Sequence, residues 1–163
     1  MMKKSNDLVE TAWGADMIQA MLLGVATGMR STAGLGILVF TRRQDLPGPL
    51  RRRPAAPVAA LVIGSELVVD KLPSAPSRLE PPGLITRAVL AGVAAAVVPP
   101  GTRPARAARI SAAMIAAVVS AKVAHDLRAR LARRWPDAVC AVVEDVVALT
   151  TAKIGATPSP RVF

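Results

Sequence analysis

Glu66 and Asp70 stand four residues apart, with Lys71 next to them, at the end of the apolar run PAAPVAALVIGSELVVDKLP. On a helix, positions four apart share one face, so both carboxylates present to the same neighbour. Arg30 interrupts a second apolar run, and Glu144 with Asp145 interrupts a third. Ionisable groups held away from water are expensive unless a counter-charge, a metal ion or a proton meets them. Arg30, Lys71 and Lys122 are the available cations, so the sequence predicts an interior polar cluster of Arg30, Glu66, Asp70, Lys71, Glu144 and Asp145. Three kinds of chemistry fit such a cluster. It can lock helices together as a salt-bridge network, or it can pass or bind an ion, a proton or a small solute. It can also hold a divalent cation against a lipid headgroup.

Signals for other chemistry are missing. The chain has one histidine and lacks HExxH, GxSxG and Walker patterns. No catalytic residue, metal ligand set or cofactor is therefore assigned, and an enzyme is the less favoured class. His125, beside Asp126, reads as a helix end rather than a ligand. The single cysteine, Cys140, permits no internal disulfide and no cysteine zinc cluster. The segment LPSAPSR after Lys71 cannot stay helical through its prolines and reads as a surface loop. Ser77 and Arg78 there, with Arg87 at the start of the next apolar run, are expected to contact lipid headgroups.

The elements that must position these residues read as membrane spans. Of 163 residues, 52% are hydrophobic but only 2% aromatic, and the mean hydropathy is +0.41. That combination is unusual for a soluble domain. The net charge of +10 lacks the aromatic stacking residues of a nucleic-acid surface and suits anionic headgroups instead. Segments at about 16–40, 54–72, 84–98, 107–125 and 138–154 approach the roughly 20 residues that a span needs. The expected fold is thus an all-α polytopic transmembrane bundle of about five spans. Residues 1–15 read as a tail or interfacial helix, 16–155 as the transmembrane domain and 156–163 as a tail. The acidic residues before the first long apolar run argue against a cleavable signal peptide.

Small residues recur at intervals of four, as in Ala20, Gly24, Gly28; Ala88, Gly92, Ala96; and Ala108, Ala112, Ala116, Ser120, Ala124. In lipid, helices pack through such residues, so Gly24, Gly28 and Gly92 are predicted helix contacts. MLLGVATGMR lines up with MIAAVVSAKV, and ELVVDK with EDVVALTTAK, as a weak inverted repeat. Lysine and arginine are nearly balanced between the two sides, so orientation is assigned to the arginine-dense loop at 42–53 being cytoplasmic.

The strings GVATGMRST, SELVVDKLPSAPSR, RAVLAG and VVEDVVAL resemble the family described as domain of unknown function 4126, small bacterial integral membrane proteins. The resemblance implies a multi-pass protein of the bacterial inner membrane and no particular reaction. The sequence reading is a small transporter or channel-like protein, or a subunit of one. Its partners are the lipid bilayer and anionic headgroups, with a homo-oligomer or another membrane subunit as company and no nucleic acid. A lipid-headgroup enzyme and a structural scaffold are the alternatives.

Overall fold

The computed structural model describes residues 2–46, 48–51, 57, 59–61, 64, 80–98 and 103–157. Among them every regular element is helical. These are α1 (Met2–Met29), α2 (Ala33–Thr41), a 3-10 turn (Arg43–Asp45), α3 (Gly48–Arg51), α4 (Pro81–Val97), α5 (Arg103–Leu131) and α6 (Asp137–Ala156). The all-helical class predicted from sequence is what the described residues form; five spans are not shown.

Local chemistry sets the boundaries. Pro81 and Pro82 occupy the first positions of α4, where a missing N–H costs nothing. Val98 is extended, as the residue before a proline prefers. Asp137 opens α6, favourable at the positive end of the helix dipole, and Lys153 lies in its last turn. Arg128 grips Asp137 with two parallel bonds of 3.0 and 2.8 Å, which fastens the end of α5 to the start of α6 across their short turn.

Helix α1 is the central post, packed against α5, α6 and α4. Gly24 faces Ala113 while Gly28 faces Ala117 and Ser120, so α1 and α5 run parallel. Gly155 packs on Leu22, Leu23 and Gln19, and Arg87 reaches Gly28, so α6 and α4 run the other way. The inverted repeat is therefore corrected. A two-fold axis in the membrane plane would make α1 and α5 antiparallel, and they are parallel.

The buried apolar set is dominated by alanine. Ala20, Ala91, Ala95, Ala113 and Ala117 form one cluster; Leu23, Leu38, Ala94, Val98 and Ala156 a second; Ala26, Ala33 and Ala152 a third. The most buried stripe of α5 is Ala113, Ala117 and Ala121; of the predicted ladder, Ala108 is exposed while Ser120 packs at Gly28. Apart from Leu23, Leu38, Val39, Leu46 and Val98, many of the longer apolar side chains point outward, among them Ile115 at 64% exposure and Ile18 at 60%.

The predicted spans fare differently. Ala105–Leu131 is the one described helix long and apolar enough to cross a membrane, and Pro81–Val97 is apolar but shorter. The first predicted span is not one rod. It breaks after Met29, and α2 folds back along α1, while no break separates the N-terminal segment from α1. Arg30, Ser31 and Thr32 form the turn, held by Ala33 N–H donating to Arg30 O at 3.0 Å. Gly34 makes the return possible, since a Cβ there would strike Thr27 Oγ1 and approach Leu23 O at 2.9 Å. The second predicted span lies largely outside the described residues. The fifth forms α6 with Glu144 and Asp145 in its middle.

Candidate functional site: a charged centre at a helix break

Where α1 ends and α2 begins, the bundle interior is charged. Arg30 is 2% exposed and donates through Nε, at 2.7 Å, and through Nη2 to Asp145 Oδ1. The two come from opposite ends of the chain, joined because α6 runs antiparallel to α1. Glu144 is buried too, with Arg128 Nη1 3.5 Å from its Oε2. Consecutive positions on a helix point about 100° apart, so Asp145 serves Arg30 while its neighbour meets Arg128. The described members of the predicted cluster, Arg30, Glu144 and Asp145, thus fall into two adjacent ion pairs around one turn of α6, the second completed by Arg128, which the prediction did not include.

Arg87 stands differently from its prediction. It is 4% exposed, and its Nη1 donates to Gly28 O at 2.6 Å and Met29 O at 3.3 Å. The last carbonyls of a helix have no partner within it; Arg87 supplies one from α4, which holds it in the interior rather than at a headgroup. Replacing Arg87 by methionine removes charge-assisted bonds and is expected to lower stability by about 1.5–3 kcal/mol. Detergent-based unfolding would measure this, with Arg87→Lys recovering part of the loss. An unchanged midpoint in the methionine variant would count against the capping role.

Gly28 stands opposite Ala117 and Ser120, near the middle of the 27-residue stretch Ala105–Leu131. The charged centre is one step above that level. A second polar layer lies lower, where Arg109, 1% exposed, sits 3.4 Å from Asp16. Nearby, Gln19 Nε2 donates to Thr157 O at the end of α6. The two layers are separated by roughly 21 Å along α1, at 1.5 Å per residue.

Glu66, Asp70, Lys71, Ser77 and Arg78 lie outside the described residues. Lys122, a candidate cation, is 69% exposed and pairs with Asp126 on its own helix at 3.5 Å. Gly24 and Gly28 lie at the α1–α5 crossing, backbone against backbone. A Cβ added at Gly92 would have the Met114 and Ile110 side chains, not backbone, as its nearest neighbours, at 3.3 to 3.5 Å. Arg109 and Arg128 escaped the sequence reading because both sit in arginine-rich flanks that resemble interfacial charge. The signal was register: Arg109, Ala113, Ala117 and Ala121 form one stripe at spacing four. No group of three His, Cys, Asp or Glu side chains suited to a metal forms among the described residues.

No family model matches the chain, and no curated protein or solved structure matches it.

Proposed function

We propose that this chain is a multi-pass helical membrane protein in which the charged centre around Arg30 and Asp145 serves the passage of an ion, a proton or a small solute. It acts as a small transporter or channel-like protein, alone or as a subunit. The observation that carries the reading is the inverted distribution of side chains. Arg30, Arg42, Arg87, Arg109 and Glu144 are buried in a bundle whose core is mostly alanine, while many valines and isoleucines of α4, α5 and α6 face outward. Water would favour the opposite arrangement, and exposed apolar surface of this extent mates with lipid or a partner. In lipid, small residues mediate close packing and charges turn inward, as they do here.

The transport part of the reading rests on the helix break. Helix ends within the membrane are tolerated where they face protein or a cavity, and in transporters they frame the binding site. Here the end of α1 and the start of α2 meet at buried Arg30. The resemblance to the domain of unknown function 4126 family adds a multi-pass expectation on short motifs and no substrate.

Two measurements test this. The expressed protein is expected to stay in the membrane pellet through an alkaline wash; recovery in the aqueous fraction without detergent would remove the membrane reading. Proteoliposomes carrying a pH-sensitive or ion-sensitive dye are then expected to dissipate an imposed gradient faster than protein-free vesicles, with Asp145→Asn slower than the parent. Rates equal to empty vesicles for protons and for a panel of ions would leave a structural role for the centre.

A further inference from the structure

At the far end of α2, the chain turns through Arg43–Asp45 into α3, and the turn encloses a partly open cavity of about 530 Å³. Phe40, Thr41, Arg42, Gln44, Asp45 and Arg51 line it. That volume lies within the range of small-molecule sites. We propose that this cavity binds a phosphate group, carried on a lipid headgroup or on a small soluble phosphate ester.

Arg42 is the centre of the argument. It is 7% exposed, its Nε contacts Asp45 Oδ2 at a long 3.4 Å, and its buried Nη1 has no hydrogen-bond partner. A buried guanidinium donor without an acceptor is unfavourable, and an anion at the cavity is a physical means of satisfying it. Asp45 is the one carboxylate among the described lining residues and is 53% exposed. Arg51 brings a second guanidinium, so the described lining residues include two arginines and one carboxylate. Gln44 and Thr41 add a neutral amide and hydroxyl. A guanidinium fork matches the paired oxygens of a phosphate, and two arginines with neutral donors suit an anion far better than a cation.

The position fits as well. Leu38, one turn before Arg42, shares a cluster with Leu23 on α1, so Arg42 lies toward the Asp16–Arg109 layer and away from the charged centre. Phe40, 49% exposed beside the cavity, offers an apolar contact for the remainder of the ligand. A lipid source for the phosphate rests on the membrane reading above. The phosphate chemistry does not.

The test uses the full chain in an uncharged detergent, titrated by calorimetry with inorganic phosphate, with short-chain phosphatidylglycerol, and with short-chain phosphatidylcholine for comparison. Saturable binding of phosphate or phosphatidylglycerol is expected. Arg42→Gln should weaken it about tenfold or more, the loss of one charge-assisted bond. Asp45→Asn should tighten it, because the carboxylate no longer competes for Arg42, and a gain of binding cannot come from misfolding. Lys122→Gln, a change at an exposed cation on another helix, should bind as the parent does.

Phosphatidylglycerol displaced by millimolar phosphate points to soluble phosphate compounds as the source. Phosphatidylglycerol that resists displacement points to the headgroup. Phosphate binding by a protein found to be water-soluble would keep the site and discard the membrane reading. Absence of binding by either anionic probe overturns the proposal, as do Arg42→Gln and Asp45→Asn variants that both bind like the parent, or weaker binding by Asp45→Asn.

Discussion

Arg30→Leu is expected to reduce the folded yield in detergent more than any other single change in the charged centre. The substitution leaves Asp145, 13% exposed, without the guanidinium that contacts it through two nitrogens. Breaking a buried pair by removing one partner costs roughly 3–5 kcal/mol. That is a large share of the 5–15 kcal/mol typical of a whole domain. Removing the carboxylate as well should restore part of the loss, so Arg30→Leu with Asp145→Asn is expected to fold better than Arg30→Leu alone. Arg30→Leu with Glu144→Gln should recover less, because Glu144 pairs with Arg128. Folded yield by size-exclusion and unfolding midpoints by circular dichroism would report these proteins together with Asp145→Asn and Glu144→Gln alone, which close the two cycles. Strict additivity in the Asp145 pair, with coupling below about 0.5 kcal/mol, would mean that the two residues do not depend on each other.

Arg30 and Asp145 were both legible as candidates, since an ionisable residue in a long apolar run marks itself. Their pairing was not. It follows from α6 running antiparallel to α1, a tertiary fact with no local signature. The division of labour between Glu144 and Asp145 was equally hidden, because adjacent letters in a sequence become different faces of a helix. The break at Arg30 to Thr32 was missed for a related reason. Hydropathy runs on through Leu35, Ile37, Leu38 and Val39, and only the fold-back against Thr27 at Gly34 separates a return from a continuation. In α5 the small-residue period was legible but its phase was not. A chain so rich in alanine offers ladders of spacing four in more than one register, and contact with α1 selects the one through Ala113 and Ala117.

That same contact yields the sharpest steric prediction. A Cβ on Gly28 would overlap Ser120 Oγ and the Ala117 carbonyl oxygen, and one on Gly24 would overlap the Ala113 carbonyl. Backbone cannot step aside as a side chain can, so α1 and α5 would have to separate. Separation also stretches the cross-helix bond in which Ser120 Oγ donates to Val25 O at 3.0 Å. Overpacking of this kind costs typically about 1–3 kcal/mol even for one added methyl, and Gly28→Leu should exceed that range and abolish the folded bundle. Gly92→Ala is the matched comparison, because the nearest atom is the flexible Met114 Cγ at 3.3 Å; its cost should stay under about 1 kcal/mol. Gly14 has nothing within 4 Å of its added Cβ, so Gly14→Ala in the same helix should stabilise by roughly 0.5–1 kcal/mol through backbone entropy. The expected order of unfolding midpoints is therefore Gly14→Ala highest, Gly92→Ala near the parent, Gly24→Ala and Gly28→Ala well below it, and Gly28→Leu unfolded. Equal midpoints for Gly28→Ala and Gly92→Ala would mean that α1 and α5 do not cross where these glycines lie.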